Sequence, residues 1–277
     1  MKKREKRIDY PVKTIAENTY MISDFGIANC YLLVGDEKAL LIDCGVGIGD
    51  IAGAVKRITD KPVIVAGTHG HVDHIGGAAA FSEIYLHPLD CGKHYRFNTN
   101  FFVRLCLLAG SRGVVDKSIK TRDLIKFKTK PEIIEMENGH VFDLGGRIVE
   151  VIHSTGHTKG SVLFKDDKTG ILFVGDNMCP SPWLFLANAD YVDEWLKSAK
   201  KIYALTEKYE PWWSHEGGLL SRKLISDVIR IGEEVVNVKY KRNLPLPFIK
   251  FYPKNDRVNG SIVFRVAHVH NKRNRKS

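Results

Sequence analysis

THGHVDHIGG, residues 68–77, concentrates metal-binding side chains at one turn of the chain. Three histidines and an aspartate fall within six positions, namely His69, His71, Asp73 and His74. Glycines lie on both sides, and the apolar run VIVAG at residues 63–67 precedes the motif, which predicts a loop after a buried strand. Imidazole and carboxylate groups are the donors that zinc and similar transition metals accept. The stretch therefore predicts a metal site at the end of a strand.

A site for two metal ions needs about six protein ligands, more than this motif supplies. We therefore expect His and Asp residues at later strand ends, and three positions meet this expectation. His157 lies in the turn HSTGHTKGS, Asp176 directly follows the apolar run LFVG, and His215 lies in WWSHEGG. Ligand sites of layered α/β folds form where strand ends meet, so these residues can converge on one sheet edge.

The remaining histidines lack such a setting. His87, His94 and His153 are predicted to be structural or surface residues, and His268 and His270, beside a basic tail, are predicted to face solvent.

The motifs THGHVDH, TGHTKGS, VGD and SHEGG occur in an order that resembles the HxHxDH…H…D…H signature of the metallo-β-lactamase superfamily. LLIDCG, residues 40–45, resembles the early aspartate motif of that family. The resemblance runs from about residue 20 to residue 220. It implies a mixed α/β (α+β) fold, namely a four-layer αβ/βα sandwich with two zinc ions at the edge of its sheets.

Carried over by position, the resemblance assigns a role to eight residues. It implies one ion held by His69, His71 and His157, a second held by Asp73, His74 and His215, a bridging Asp176, and Asp43 orienting a ligand from behind. Iron and manganese accept the same donors. The iron-containing oxidoreductases of the family usually carry Glu at the second motif position, where this chain has His71, so zinc is favoured.

Two adjacent zinc ions hold a hydroxide at neutral pH, because each lowers the pKa of bound water. We expect this metal-bound hydroxide to attack the carbonyl of a small ester, thioester or lactone, with Asp73 as the catalytic residue that accepts and returns a proton. A metal-dependent phosphodiesterase or nuclease is the alternative hydrolase. A diiron redox or sensor protein is a third interpretation.

Apolar residues at 101–108 and the segment SPWLFLANADY, residues 181–191, predict a small-molecule substrate with a hydrophobic portion. An exposed apolar wall is equally typical of a homodimer interface. The chain has 277 residues and a net charge of +10, of which residues 1–7 and 271–277 contribute +4 each. The rest is predicted to be nearly neutral, so nucleic-acid binding is expected only through the tails.

Length and pattern predict a basic tail at residues 1–10, a single domain at 11–270 with a helical insertion at about 89–118, and a basic tail at 271–277. No apolar run is long enough for a membrane span, and no apolar segment follows the basic N-terminus, so no membrane partner and no secretory signal are expected. Five scattered cysteines without a CxxC pair are typical of reduced thiols. We expect a cytoplasmic protein.

Periodicity and turn residues also predict the main elements. Strands are expected in TIAENTYMIS (14–23), ANCYLLVG (28–35), KALLIDCG (38–45) and IKFKTKPEIIEM (125–136), and helices at 49–60, 191–209 and 221–241. A helix is expected to begin in IGGAAAFSE (75–83), and residues 247–269 are expected to form a hairpin.

Overall fold

The structure, a computed structural model, describes residues 8–238, 249–252, 260–265 and 269–271, and for 249–252 it describes the backbone. Its largest sheet has seven strands that follow one another in sequence order. They are β1 (Val12–Ala16), β2 (Thr19–Ser23), β3 (Asn29–Val34), β4 (Ala39–Ile42), β5 (Val63–Ala66), β6 (Glu83–Leu86) and β7 (Glu132–Glu135). The strands are antiparallel from β1 to β4 and parallel from β4 to β7.

A second sheet has five strands, which in chain order are β8 (Val141–Asp143), β9 (Ile148–His153), β10 (Val162–Asp166), β11 (Ile171–Gly175) and β13 (Glu210–Trp213). Their order across the sheet is β13-β11-β10-β9-β8. A small third sheet pairs β12 (Trp183–Leu184) and β14 (Ile249–Tyr252) with β15 (Ile262–Arg265).

Six α-helices cover the sheets in the described part of the chain. They are α1 (Ile51–Lys56), α2 (Val72–Ile75), α3 (Lys93–Asn98), α4 (Phe101–Gly110), α5 (Val192–Leu205) and α6 (Arg222–Asn237). None of the helices in these residues is both long and apolar enough to cross a membrane.

Three apolar cores separate the layers. The core between the two large sheets joins residues such as Leu33 and Ile42 to Phe164 and Phe173, all fully buried. On the outer face of the seven-stranded sheet, α1 and α4 contribute to a second core. On the outer face of the five-stranded sheet, α5 and α6 build the third, around the fully buried Trp195. The predicted four-layer αβ/βα sandwich is confirmed, because each sheet has one face on the shared core and one under helices.

Several element predictions were wrong in detail. TIAENTYMIS forms two strands, because Asn18 adopts a φ of 49° and turns the chain between β1 and β2. IGGAAAFSE forms only a 3-10 turn, Ala78–Ala80. A Cβ at Gly77 would lie 2.2 Å from the carbonyl oxygen of Cys44, so the chain here packs backbone to backbone. In residues 125–136 only Glu132–Glu135 is a strand, since Pro131 has no N–H for a ladder.

Strands β8 and β12 were not predicted, and Val72–Ile75, within the motif predicted to be a loop, form α2. The predicted hairpin near the C-terminus is present as the antiparallel pair β14 and β15, whereas its turn and His268 lie outside the described residues. Residues 239–241 of the helix predicted at 221–241 also lie outside the described residues. Of the two predicted basic tails, only residues 8–10 and residue 271 are described.

Candidate metal centre

Three of the predicted ligands converge beyond the end of β5. His69 follows that strand, His71 caps the N-terminus of α2, and His157 lies between β9 and β10. His71 Nδ1 lies 3.0 Å from His69 Nε2 and 2.8 Å from His157 Nε2. The three rings meet edge to face, with one nitrogen of each directed at a common point. This group of histidines can hold one metal ion.

The other four predicted ligands form a second group next to it, with ligand atoms all within 4.8 Å of one another. Asp73 and His74 lie on α2, Asp176 follows β11, and His215 follows β13. Asp176 Oδ2 lies 3.1 Å from His215 Nε2 and 3.5 Å from His74 Nε2.

The carboxylate of Asp176 also faces the first group, since its Oδ2 lies 3.7 Å from His157 Nε2. The structure thus brings all seven predicted ligands together and places Asp176 between the two groups.

Hydrogen bonds at the ring nitrogens that point away from the site orient two of the histidines for metal binding. Nδ1 of His157 lies 3.0 Å from the carbonyl oxygen of Trp183, and Nδ1 of His215 lies 2.6 Å from that of Ile27. A carbonyl oxygen only accepts, so each Nδ1 donates its proton and each Nε2 faces the site, where its neutral form can bind a metal. His74 Nε2 and Asp176 Oδ1 are buried without a hydrogen-bond partner among the described residues. Converging lone pairs and unpaired buried acceptors are what a bound cation would satisfy, so the donor set fits metal ions.

Asp43 supports this arrangement from behind, at the end of β4. Its Oδ2 lies 2.8 Å from His74 Nδ1, and Ser214 donates to the same oxygen. Its Oδ1 accepts the backbone N–H of Thr68 at 2.7 Å, and the Thr68 hydroxyl also donates to this carboxylate while facing His69 Nδ1 at 3.1 Å. Asp43 is fully buried and therefore links the ends of both large sheets to two predicted ligands.

The three-histidine group favours neutral imidazoles. Burial lowers the pKa of His69 well below its ordinary value, and neighbouring histidines lower it further. Burial also lowers the pKa of His71 to about 4 and that of His157 to about 3. Neutral imidazole is the form that binds a metal, so this half of the site is ready for one at neutral pH.

In the second group the pKa values of the histidines are raised rather than lowered. Burial disfavours the charged form of His215, but the adjacent Asp176 outweighs it and raises the pKa to about 9. The pKa of His74 is raised in the same way by Asp73 and Asp176. Burial would raise the pKa of both carboxyl groups, but the two histidines lower it below its usual range. In the absence of metal the two carboxylates therefore favour protonated histidines, and binding of an ion here requires loss of these protons.

Asp90 is a residue of the centre that the sequence-based prediction missed. It is fully buried, and its carboxylate accepts the backbone N–H of Gly70 at 2.7 Å, the hydroxyl of Thr158 at 2.6 Å and the side-chain amide of Asn188. It thereby joins the turn between His69 and His71 to the turn that carries His157. The signal available in the sequence was that Asp90 lies four residues after β6, as the predicted ligands also lie just after strands.

The histidines outside the centre have other partners. His87 and His153 stack with ring centroids 4.2 Å apart, and His153 Nε2 faces the carbonyl oxygen of Lys159. His270 is half-exposed near Asp193. His94, predicted to be structural or on the surface, lines the cavity above the metal centre.

This cavity, of about 850 Å³, has five of the seven predicted ligands at its base. Its walls are largely apolar. The helical insertion contributes Phe97, Val103, Leu107 and Val114, and the segment after Asp176 contributes Trp183 and Leu186. The predicted insertion therefore both packs on the body of the protein, through the buried Leu108, and forms a wall of the cavity.

Comparison with known proteins agrees with the fold and with the motifs. An uncharacterized protein of Mycobacterium tuberculosis is 30% identical over 167 residues, which are 54% of this chain and 67% of that protein. The acyl-coenzyme A thioesterase MBLAC2 of Gallus gallus is 25% identical over 198 residues, 65% of this chain and 68% of that protein. The crystal structure of a metallo-beta-lactamase family protein from Thermus thermophilus has a TM-score of 0.59 at 20% identity, covering 80% of this chain and 82% of that one, and shares the fold.

The family model of the metallo-beta-lactamase superfamily matches residues 23–215, which include every predicted ligand. The match covers more than half of the chain, so the chain belongs to the metallo-β-lactamase superfamily and is a hydrolase of that superfamily.

Proposed function

We propose that the chain is a dinuclear-zinc hydrolase of thioesters whose acyl group is hydrophobic. The observation that carries the proposal is the cavity, in which donor groups for two ions lie beneath apolar walls. The donors are imidazoles and carboxylates without cysteine, a set that zinc accepts. When bound, such ions lower the pKa of water and polarise a carbonyl oxygen.

The residues of the chain orient the substrate and move the proton. Phe97, Leu107 and Trp183 line the cavity and would hold the acyl group, which places the carbonyl carbon above the predicted ligands at the base. The carboxylate of Asp73 also lines the cavity, and its Oδ2 lies 3.7 Å from His215 Nε2. Asp73 would accept the proton of the attacking water and return it to the leaving sulfur.

A thioester suits this site better than an alkyl ester, because a thiol has a pKa of about 8.5 and departs with little help from an acid. The mainly apolar walls of the cavity favour a hydrophobic acyl group. The relative from Gallus gallus bears the name acyl-coenzyme A thioesterase, which supports the same substrate class for this chain.

The test is a substrate panel with metal analysis on the same sample. An acyl thioester series, an aryl ester, a lactone and bis-p-nitrophenyl phosphate are compared at equal concentration. We expect about two zinc ions per chain and a kcat/KM for thioesters that rises with acyl-chain length. Turnover of the phosphodiester alone would instead identify a phosphodiesterase. Iron with a visible absorption band and no hydrolysis would identify a redox protein.

A further inference from the structure

Helix α4 has an apolar face that no described residue covers. Arg104 and Leu108 are buried against the body of the protein, whereas Phe102, Cys106 and Ala109 are exposed. These three residues follow the spacing i, i+4, i+7 and so lie on one side of the helix. The outer face of a helix in a globular protein ordinarily carries charged residues, and this one carries none. Phe102 alone is 72% exposed.

The apolar surface continues to the mouth of the cavity. Phe97 on α3 and Val114 after α4 both line the cavity, and they are 65% and 69% exposed. Trp183, on the opposite wall, is 50% exposed. Helix α4 also lines the cavity through Val103 and Leu107, so the same helix carries part of the cavity wall and the exposed apolar face. Large exposed apolar surfaces of this kind are typical of interaction sites.

The segment that carries this surface is rich in basic side chains. Residues 92–130 contain ten Lys or Arg and only two acidic residues, a net charge of +8. Arg104 is buried, and the other nine are exposed, namely Lys93, Arg96, Arg112, Lys117, Lys120, Arg122, Lys126, Lys128 and Lys130. None of the nine forms an ion pair within the described part of the chain.

The chain between the two tails has the nearly neutral net charge that was predicted, but its charged residues are unevenly distributed. With +8 in residues 92–130 and +4 in each tail, the rest of the chain carries a net charge of −6.

We propose that residues 92–130 dock the protein on an anionic lipid surface, with the mouth of the cavity facing the lipid. A helix that is apolar on its outer face and bordered by Lys and Arg inserts its apolar side chains at the boundary of headgroups and acyl chains, while the basic groups contact anionic headgroups. The proposal concerns docking, whereas the expectation of no membrane partner rested on the absence of a spanning segment. Membrane docking is tested by vesicle binding, so the outcome does not depend on the proposed thioesterase activity.

Two other occupants fit the surface less well. A second copy of the chain would bring two strongly basic surfaces together, and juxtaposed like charges oppose association. A nucleic acid would pair with the basic groups but would leave the apolar stripe of α4 without a partner.

The first test is sedimentation of the full chain with vesicles of phosphatidylcholine alone or mixed with phosphatidylserine. We expect binding to the anionic vesicles that weakens as salt is raised, and little binding to the neutral ones. Arg112→Glu with Lys117→Glu should lower the partition coefficient at least about tenfold. Lys201→Glu with Lys208→Glu, the same charge change on and just after α5, should lower it much less. Equal losses for the two double variants would show a general charge effect and overturn the proposal.

The second test separates the apolar contribution. Phe102→Ser should lower the partition coefficient by several-fold to about tenfold at high and at low salt, because the lost contribution is burial of the ring. Val141→Ser, at a position 51% exposed on β8, is the matched control and should bind as the unmodified chain does. Circular dichroism confirms that each variant is folded. Absence of vesicle binding, or a dimer in sedimentation velocity that Phe102→Ser dissociates, would overturn the proposal.

Discussion

Three of the five imidazoles of the metal centre are held by hydrogen bonds at the ring nitrogen that points away from the site. His74 is held by Asp43, His157 by a main-chain carbonyl, and His215 by the carbonyl of Ile27. A ring held in this way keeps one tautomer and one orientation, so its lone pair is already directed at the ion. These hydrogen bonds involve only groups of the protein, so we expect them to orient the rings in the metal-free chain as well.

Asp90 should affect metal binding through the two turns that it joins. Asp90→Asn keeps the size of the side chain but replaces one acceptor oxygen by a donor. The new NH2 group opposes the donors at Oδ2, Gly70 and Thr158, or those at Oδ1, Gly160 and Asn188. We expect zinc affinity to fall by about 10–100-fold, measured by competition with a chromophoric chelator. Asn188→Ala removes only one donor to Asp90 and should have a smaller effect. Unchanged affinity in Asp90→Asn would show that this carboxylate does not position the ligands.

Asp24 should make the stability of the metal-free protein depend on pH. Burial raises its pKa from 3.8 to about 7, although the N–H of Val46 donates to it. Between these values the folded protein keeps a proton that the unfolded chain has lost. The contribution of this group to the free energy of unfolding therefore decreases as the pH rises through this range and is constant above it.

Asp24→Asn keeps an acceptor for Val46 and removes the buried charge. We expect the free energy of unfolding to rise by up to about 4 kcal/mol near pH 8 and to change little near pH 4, as measured by urea denaturation. Asp60→Asn, at an exposed position, is the control. An equal effect of Asp24→Asn at both pH values would contradict the raised pKa.

At the scale of elements, the strand ends supply the metal centre and the insertion supplies the wall above it. Strands β4, β5 and β6 run parallel, as do β11 and β13, so their carboxyl ends bring the following residues to one edge. Arg104 fastens α4 to this edge by donating to the carbonyl oxygens of Val46 and Gly47. The helix therefore has a fixed inner face, and Leu107 on its side is a fixed part of the cavity wall.

Leu107→Trp should shorten the acyl chain that the cavity accepts. The larger ring occupies space that a long chain would fill, whereas a short chain bound near the ligands would not meet it. We expect kcat/KM for a long-chain thioester to fall about tenfold or more while that for an acetyl thioester changes little. Val141→Trp, outside the cavity, should leave both values unchanged. Equal losses for both substrates would mean that the wall does not contact the acyl group.

At the scale of the whole molecule, the predicted ligands come from both large sheets. His69 and His71 follow a strand of the seven-stranded sheet, whereas Asp176 and His215 follow strands of the five-stranded sheet. An ion bound between the groups would therefore fasten one half of the sandwich to the other, in addition to the apolar core between them.

Metal removal should therefore lower the thermal stability of the whole chain. We expect treatment with a chelator to lower Tm by roughly 5–15 °C, because a tightly bound ion stabilises only the folded state. Addition of zinc should restore Tm, as measured by differential scanning calorimetry. Asp176→Ala, which lacks the carboxylate between the two groups, should respond less to both treatments. A Tm that is insensitive to chelator would contradict binding across the two sheets.

The ligand residues and the order of the main strands were predictable, because both depend on local patterns. His69, His71, Asp73 and His74 occupy one short stretch between glycines, and His157, Asp176 and His215 each follow an apolar run. Side-chain type decides metal preference, and apolar periodicity decides where a strand ends. The sequence alone therefore predicted which residues lie together, and the motif order predicted the family.

The role of Asp90 and the exposure of the apolar face of α4 emerged only in three dimensions. Nothing in LHPLD shows that Asp90 accepts hydrogen bonds from turns 20 and 68 residues away. Phe102 and Leu108 lie in the same apolar segment and cannot be distinguished by sequence pattern, yet Phe102 is 72% exposed and Leu108 is 3% exposed. Exposure and long-range hydrogen bonds depend on which elements cover one another, and that is set by packing rather than by neighbours in the chain.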